Sequence, residues 1–219
     1  MSSQSIHQFA EKVALVNDVS HPFAKAAAMQ LALLGAFVIV GEPADSSGGI
    51  VKEMISLGTL ADSVAFERNE KNRGQKLVQA AANKFGRLDL LLNCCKFADD
   101  TQSVFSDIED INRAASQLMR ERPKPKIVNC FSTFCMRTTD RKTFETAVKD
   151  LTARSVTVLA PKFRSNTIIA HEERAVPVNT GGLELRPPSS IAWDDAARVA
   201  VYLLSSESIS LNGQCLVIQ

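Results

Sequence analysis

Tyrosine is close to absent from this chain of 219 residues, which has one, Tyr202, beside eleven phenylalanines. Chemistry that needs a phenol as proton donor or acceptor therefore has a single candidate, far toward the carboxyl end. Charge of one sign is also not in excess: 25 Lys and Arg against 24 Asp and Glu leave a formal net charge of +1. That balance argues against a polyanionic partner, so no nucleic-acid function is expected. No apolar stretch approaches the ~20 residues of a membrane span, and the amino terminus has neither a basic n-region nor an apolar h-region. A cytoplasmic protein without membrane contact is the expectation. The five cysteines follow no disulfide or zinc-ligand spacing, since Cys94 and Cys95 are adjacent while Cys130, Cys135 and Cys215 are scattered. No metal site is expected, and the thiols read as small buried hydrophobes.

With 45% hydrophobic and 22% charged residues, the composition is that of a globular domain long enough to bury roughly 70% of its unfolded surface. The stretch from Lys12 to Glu42 organises the rest. Val13–Val16 is a continuous apolar run suited to a strand buried on both faces. A polar turn follows over 17–22, then an Ala/Leu-rich helix over 24–34 that Ser20 or His21 can cap and whose first turn accepts Pro22. Gly35 sits where a helix C-cap glycine belongs, before a second strand over 36–40. Strand, turn, helix and strand in this order open a parallel sheet, and such a unit normally seats a dinucleotide phosphate on a glycine-rich first turn. Here no glycine occurs between residues 12 and 34.

Downstream, apolar periodicity predicts helices over 50–57, 70–85, 107–119, 140–151 and 193–204. It predicts further strands over 63–66, 88–93, 127–131, 156–160 and 214–218. Residues 1–10 read as a polar leader. Residues 161–190 hold Pro161, Pro177, Pro187, Pro188 and a Gly181-Gly182 pair, so they read as loop with one short element around 168–173. One α/β domain over 1–219 accounts for the chain.

From Lys12 to Ile218 this order resembles the short-chain dehydrogenase/reductase family. Three segments carry the likeness: the opening strand, turn and strand; Gly86-Arg-Leu-Asp-Leu-Leu-Leu-Asn93; and the close, Leu203-Leu204-Ser205-Ser206 with Asn212-Gly213-Gln214-Cys215-Leu216-Val217. The resemblance implies a Rossmann-like, doubly wound parallel sheet of about seven strands with helices on both faces. In the family the first turn reads Thr-Gly-x-x-x-Gly-x-Gly, and the matching positions here are Asn17, Asp18, Pro22 and Ala24, so all three glycines are replaced. Asp18 and Ser20 then fall where a diphosphate would lie. Glu42 falls where an acid takes the adenosine ribose hydroxyls and favours NAD over NADP, and Glu67 near the acid that touches adenine. Asn93 matches the first residue of Asn-Asn-Ala-Gly, with Cys94, Cys95 and Lys96 in place of the others. The lost glycines lead to the expectation of no cofactor, NAD being the choice if any binds.

For catalysis the resemblance assigns Ser132 to the residue holding the substrate oxygen and Asn112 to the proton relay. Counting forward from Ser132 reaches Glu145 at the family's Tyr position and Lys149 at its Lys. Counting backward from Pro161 leaves too few residues, and on that reading the Tyr and Lys turns are missing. The expected function is thus a degenerate, shortened relative without Tyr-dependent activity, in a binding or structural role. The alternative is an NAD(P)-dependent oxidoreductase of altered mechanism, using Ser132 and Asn112 with a proton donor drawn from His21, Cys95, Glu145 or His171. The resemblance further implies a homodimer, its helix–helix interface altered by two shortened helices; the small-molecule ligand is unknown.

Overall fold

A computed structural model describes residues 8–46, 48–67, 70–95, 101–132, 141–159, 162–170 and 190–218. Seven strands alternate with six helices: β1 (Val13–Val16), α1 (Pro22–Leu33), β2 (Phe37–Pro43), α2 (Ile50–Ser56), β3 (Ala61–Phe66), α3 (Arg73–Phe85) and β4 (Leu90–Cys95). There follow α4 (Thr101–Met119), β5 (Lys126–Ser132), α5 (Arg141–Val158), β6 (Arg164–Ala170), α6 (Ser190–Leu204) and β7 (Cys215–Ile218). The strands form one parallel sheet in the order β3-β2-β1-β4-β5-β6-β7. This is the doubly wound α/β arrangement anticipated from the sequence. The order reverses between β1 and β4, which opens a crevice above the carboxyl ends of those strands.

Alternation along each strand divides the core in two. Ala14 and Val16 of β1 pack with α1 and α6, while Val13 and Leu15 face the layer made by α3, α4 and α5. Both faces of the sheet are covered, which is why its strands read as continuous apolar runs. Two glycines mark close approaches. A Cβ on Gly41 would lie 2.2 Å from the Asn17 carbonyl oxygen, and one on Gly74 would lie 2.7 Å from the Ile111 Cβ, where α3 meets α4.

The largest differences from the sequence reading fall at α5, β6 and α4. The 156–160 stretch is not a strand: α5 continues to Val158. Its β-branched and hydroxyl side chains are satisfied within the helix, because Thr152, Ser155 and Thr157 each donate to the carbonyl four residues earlier, at 2.8, 2.9 and 3.0 Å. The sixth strand is Arg164–Ala170, inside the stretch read as loop. Its polar first half hid it: Ser165, Asn166 and Thr167 are buried and bond to neighbours that periodicity does not see. Asn166 Oδ1 accepts from Gln214 N at 3.1 Å, and Thr152 and Thr167 share a hydroxyl bond of 2.7 Å. Helix α4 also begins earlier than expected, at Thr101. With 19 residues in α4 and 18 in α5, both helices are longer than the sequence reading gave them. The leader, too, is not wholly polar in role, since Phe9 is buried in the core beside α1.

The opposite edge of the sheet holds a buried lysine. Lys126 opens β5 with its amine donating to Ser208 Oγ at 2.8 Å and to the Ser205 carbonyl, so it caps the end of α6. Burial, with the positive charges of Arg164 and Lys124, pushes this amine down to about 8.

Candidate functional site

Amide side chains of β4, β5 and α4 meet in the interior beneath the carboxyl ends of the strands. Asn93 of β4 and Asn129 of β5 are register partners, and both are fully buried. Asn93 Nδ2 donates to Asn129 Oδ1 and to Asn112 Oδ1 of α4, each at 2.8 Å. Asn112 Nδ2 reaches Asn129 Oδ1 at 3.4 Å. This cluster leaves Asn93 Oδ1 and Asn129 Nδ2 without a partner among the described residues. Asn17, at the end of β1, accepts from Cys94 N at 2.8 Å and so ties the first turn to the end of β4. Neither Asn129 nor Asn17 was assigned a bond by sequence reasoning. A signal existed for Asn129, a polar residue inside the apolar run Ile127-Val-Asn-Cys-Phe of a strand buried on both faces.

Ser132 ends β5 at the crevice and is buried at 5% exposure, paired in register with Ala170. Helix α5 then crosses above the sheet. It presents Phe144 and Val148, four residues apart, to Phe131 and Ile169, with Phe131 and Phe144 edge to face at 6.2 Å. Glu145 and Lys149 lie around the helix from this stripe, half-buried and exposed respectively. Their charges act on Cys215 of β7, whose thiol is raised chiefly by burial, lowered by Lys149 and raised by Glu145. The inward pair is apolar, so Lys149 stands apart from the Asn93, Asn112 and Asn129 cluster. Tyr202 is on α6, 44% exposed. His171 and Cys135 lie outside the described residues, as do Asp140 and Lys96.

At the first turn, Asp18 is buried and its Oδ1 accepts from Ser20 N at 2.8 Å. His21 is the N-cap of α1, its Nδ1 accepting from Phe23 N at 3.2 Å. The neutral ring then carries its proton on Nε2. His21 also packs edge-on to Trp193 of α6, ring centres 4.3 Å apart. Two amides that would face a phosphate are thus taken by the chain's own acceptors. Ser20 Oγ, by contrast, is buried there with no partner among the described residues. Glu42 is half-buried near the end of β2, beside Ala65 of β3. Glu67, exposed, follows β3, with its amide donating to Glu70 Oε2 at 3.2 Å. These residues fit a dinucleotide at the ribose end and at Ser20, and they crowd it at Asp18.

The thiols at the strand ends are inert by environment. Burial pushes Cys94, Cys95 and Cys130 well above the ordinary thiol range. Among the described residues no group of His, Cys, Asp and Glu is arranged to hold a metal ion. None of the described helices is long and apolar enough to cross a membrane.

Comparison with known proteins agrees with this geometry. No model of a known protein family matches the sequence. The chain is 29% identical over 136 residues to the short-chain dehydrogenase/reductase FrzI of a Cladobotryum species, covering 56% of this chain and 53% of that protein. It is 27% identical to a 3-oxoacyl-[acyl-carrier-protein] reductase of Synechocystis, covering 69% and 74%. The match thus spans about half the length of the first relative. The hydroxysteroid dehydrogenase structure from Escherichia coli superposes over 100% of this chain and 99% of that one, with a TM-score of 0.76 and 21% identity. Fold and sequence likeness together place the chain in the broad Rossmann-fold superfamily that includes the short-chain dehydrogenases/reductases. The expectation of no cofactor is corrected by the same findings: the matched proteins are dehydrogenases and reductases, and a further relative, 31% identical over 38% of this chain and 34% of its own length, is L-rhamnose 1-dehydrogenase (NAD(P)(+)) of Azotobacter vinelandii. The replaced glycines change the turn without removing the fold that such proteins share.

Proposed function

We propose that this chain is an NAD(P)-dependent oxidoreductase of altered mechanism, acting on a small carbonyl or hydroxyl compound without a phenolic acid or base. The observation that carries the reading is Ser132, buried at the carboxyl end of β5 in register with Ala170 of β6. Between β5 and β6 the chain holds the 18 residues of α5, room for a proton donor other than the missing tyrosine.

In this reading the cofactor, when bound, supplies or accepts a hydride at the substrate carbon. Ser20 and Glu42 would hold its phosphate and ribose, and Ser132 would donate its hydroxyl proton in a hydrogen bond to the substrate oxygen. Asn93, Asn112 and Asn129 fix the strand ends on which Ser132 stands. The proton that completes carbonyl reduction comes from a donor other than tyrosine. Of the candidates, Cys95 is held in an apolar layer and Glu145 is turned toward β7. Two copies are proposed to pair through α4 and α5, and sedimentation at micromolar concentration would read 23.8 kDa if they do not.

The test is NADH and NADPH binding by fluorescence, followed by turnover over a panel of aldehydes and ketones. Ser132→Ala is expected to lower turnover on the order of 100-fold or more while leaving dinucleotide binding within a factor of two. Absence of both binding and turnover, or turnover indifferent to Ser132→Ala, would overturn the reading.

A further inference from the structure

We propose that the edge of the sheet opposite the crevice is a docking surface for a phosphodiester polyanion, namely single-stranded nucleic acid. All seven strands are parallel, so their amino ends share one edge. Lys12 immediately precedes β1, Arg87 leads into β4, and Arg120, Arg122 and Lys124 lead into β5. Lys162 and Arg164 open β6. The acids interspersed with them are few: Glu11, Asp89, Glu121 and, after α6, Glu207. The formal charge of +1 therefore conceals a segregated distribution, and the expectation of no polyanionic partner rested on the average.

The acids present do not neutralise this edge. Asp89 is buried and faces three cations. Arg87 takes both its oxygens, through Nε at 2.9 Å and Nη2 at 2.8 Å. Lys12 and Arg122 are left at 3.9 Å, and Arg122 Nε is buried with no hydrogen-bond partner. Arg120, Lys124 and Lys162 are exposed and make no ion pair among the described residues. The depressed amine of Lys126 reports the same crowding, since Arg164 and Lys124 both act on it.

Exposed cations without acid partners suit phosphates better than a protein partner. Arg120, Lys124 and Lys162 are such cations, and the planar fork of Arg120 matches phosphate oxygens. Protein interfaces need apolar anchors at their centre. The exposed apolar side chains Leu33, Leu57 and Leu60 lie on the same edge but before β2 and β3, and Ile209 lies at its far end beside Arg164, so the stretch from β1 to β5 carries none. From β1 to β6 the charged stretch crosses three strand spacings, about 14 Å, room for a few consecutive phosphates.

The experiment is fluorescence anisotropy of a labelled oligouridylate titrated with the full chain at two salt concentrations. About four phosphates neutralised on a single strand give a log–log salt slope near −3, a loss of roughly 50-fold between about 50 and 200 mM salt. The edge variant Arg120→Glu/Lys124→Glu/Lys162→Glu is expected to weaken binding by more than about tenfold. The control Lys25→Glu/Lys52→Glu/Lys71→Glu makes the same change in net charge on other exposed positions and is expected to bind nearly as the parent does. No binding at about 50 mM salt, an equal loss in both variants, or preference for polyglutamate peptide or phosphatidylserine vesicles over the oligouridylate would each overturn the proposal. Because the edge is remote from Ser132, this result is independent of whether the chain turns over a substrate.

Discussion

In the proposed reading dinucleotide affinity turns on Asp18, and removing its charge is the most direct perturbation of the site. It is 4% exposed and its Oδ1 accepts from Ser20 N at 2.8 Å, so it is fixed in the turn rather than free to swing away. A phosphate seated at the N-terminus of α1 would stand on the order of 5 Å from it. At an effective dielectric of ~20, two unit charges at that separation repel by about 3 kcal/mol. Solvent screening and the α1 dipole remove part of this, leaving about 1.5 kcal/mol or more, a factor of ten or greater in affinity. Asp18→Asn removes the charge and keeps an oxygen for Ser20 N. Asp18→Gly also frees that amide and lets backbone approach the ligand. NADH fluorescence titration is expected to show tighter binding in the order Gly, Asn, parent, with at least about tenfold between Asn and parent. The lost turn bond costs about 1 kcal/mol of stability, which urea denaturation measures separately. If the parent binds as tightly as Asp18→Asn, the repulsion argument is wrong and the diphosphate lies elsewhere.

Other consequences can be measured on the same protein. Lys126 binds its proton more weakly in the folded than in the unfolded chain, with its amine lowered from 10.5 to about 8. Between those values the unfolded state holds the extra proton, so stability from this group rises with pH across that window. The parent should therefore gain about 1–3 kcal/mol relative to Lys126→Met between pH 8 and pH 10.5, read by urea denaturation; a constant difference would contradict it. Gly74→Ala places a Cβ 2.7 Å from Ile111 Cβ and should cost about 1–3 kcal/mol by forcing α3 from α4, so unchanged stability would mean the two helices yield more easily than their packing implies. Cys94, Cys95 and Cys130, buried and with thiols pushed up, should stay unmodified by a thiol reagent at pH 8 until the protein is denatured. Peptide mapping of modified native protein that shows label on any of them would refute the inert reading.

The strand–turn–helix–strand opening was legible because its signals are local. Val13–Val16 is apolar throughout, His21 and Pro22 make a start signal, and Gly35 a stop; the structure has α1 over Pro22–Leu33 with His21 as its cap. Strand β6 was not legible, because Ser165, Asn166 and Thr167 look like loop until their partners on α5 and before β7 are in place. The end of α5 failed for the reverse reason: Val156, Thr157 and Val158 favour a strand by propensity, and the helix prevails through tertiary packing, with Leu159 buried just beyond its end.

What the chain determined alone is whatever short-range patterning specifies: an α/β sheet, its first unit, the want of a phenol near Ser132 and the loss of the turn glycines. Only tertiary structure decided which polar groups meet. Asn93, Asn112 and Asn129 are separated by up to 36 positions yet share one buried network, and Lys12, Arg87 and Arg122 converge on Asp89 from three strand starts. Both follow from parallel pairing, which places residues remote in sequence side by side at the same level of the sheet, where burial obliges them to satisfy or repel one another.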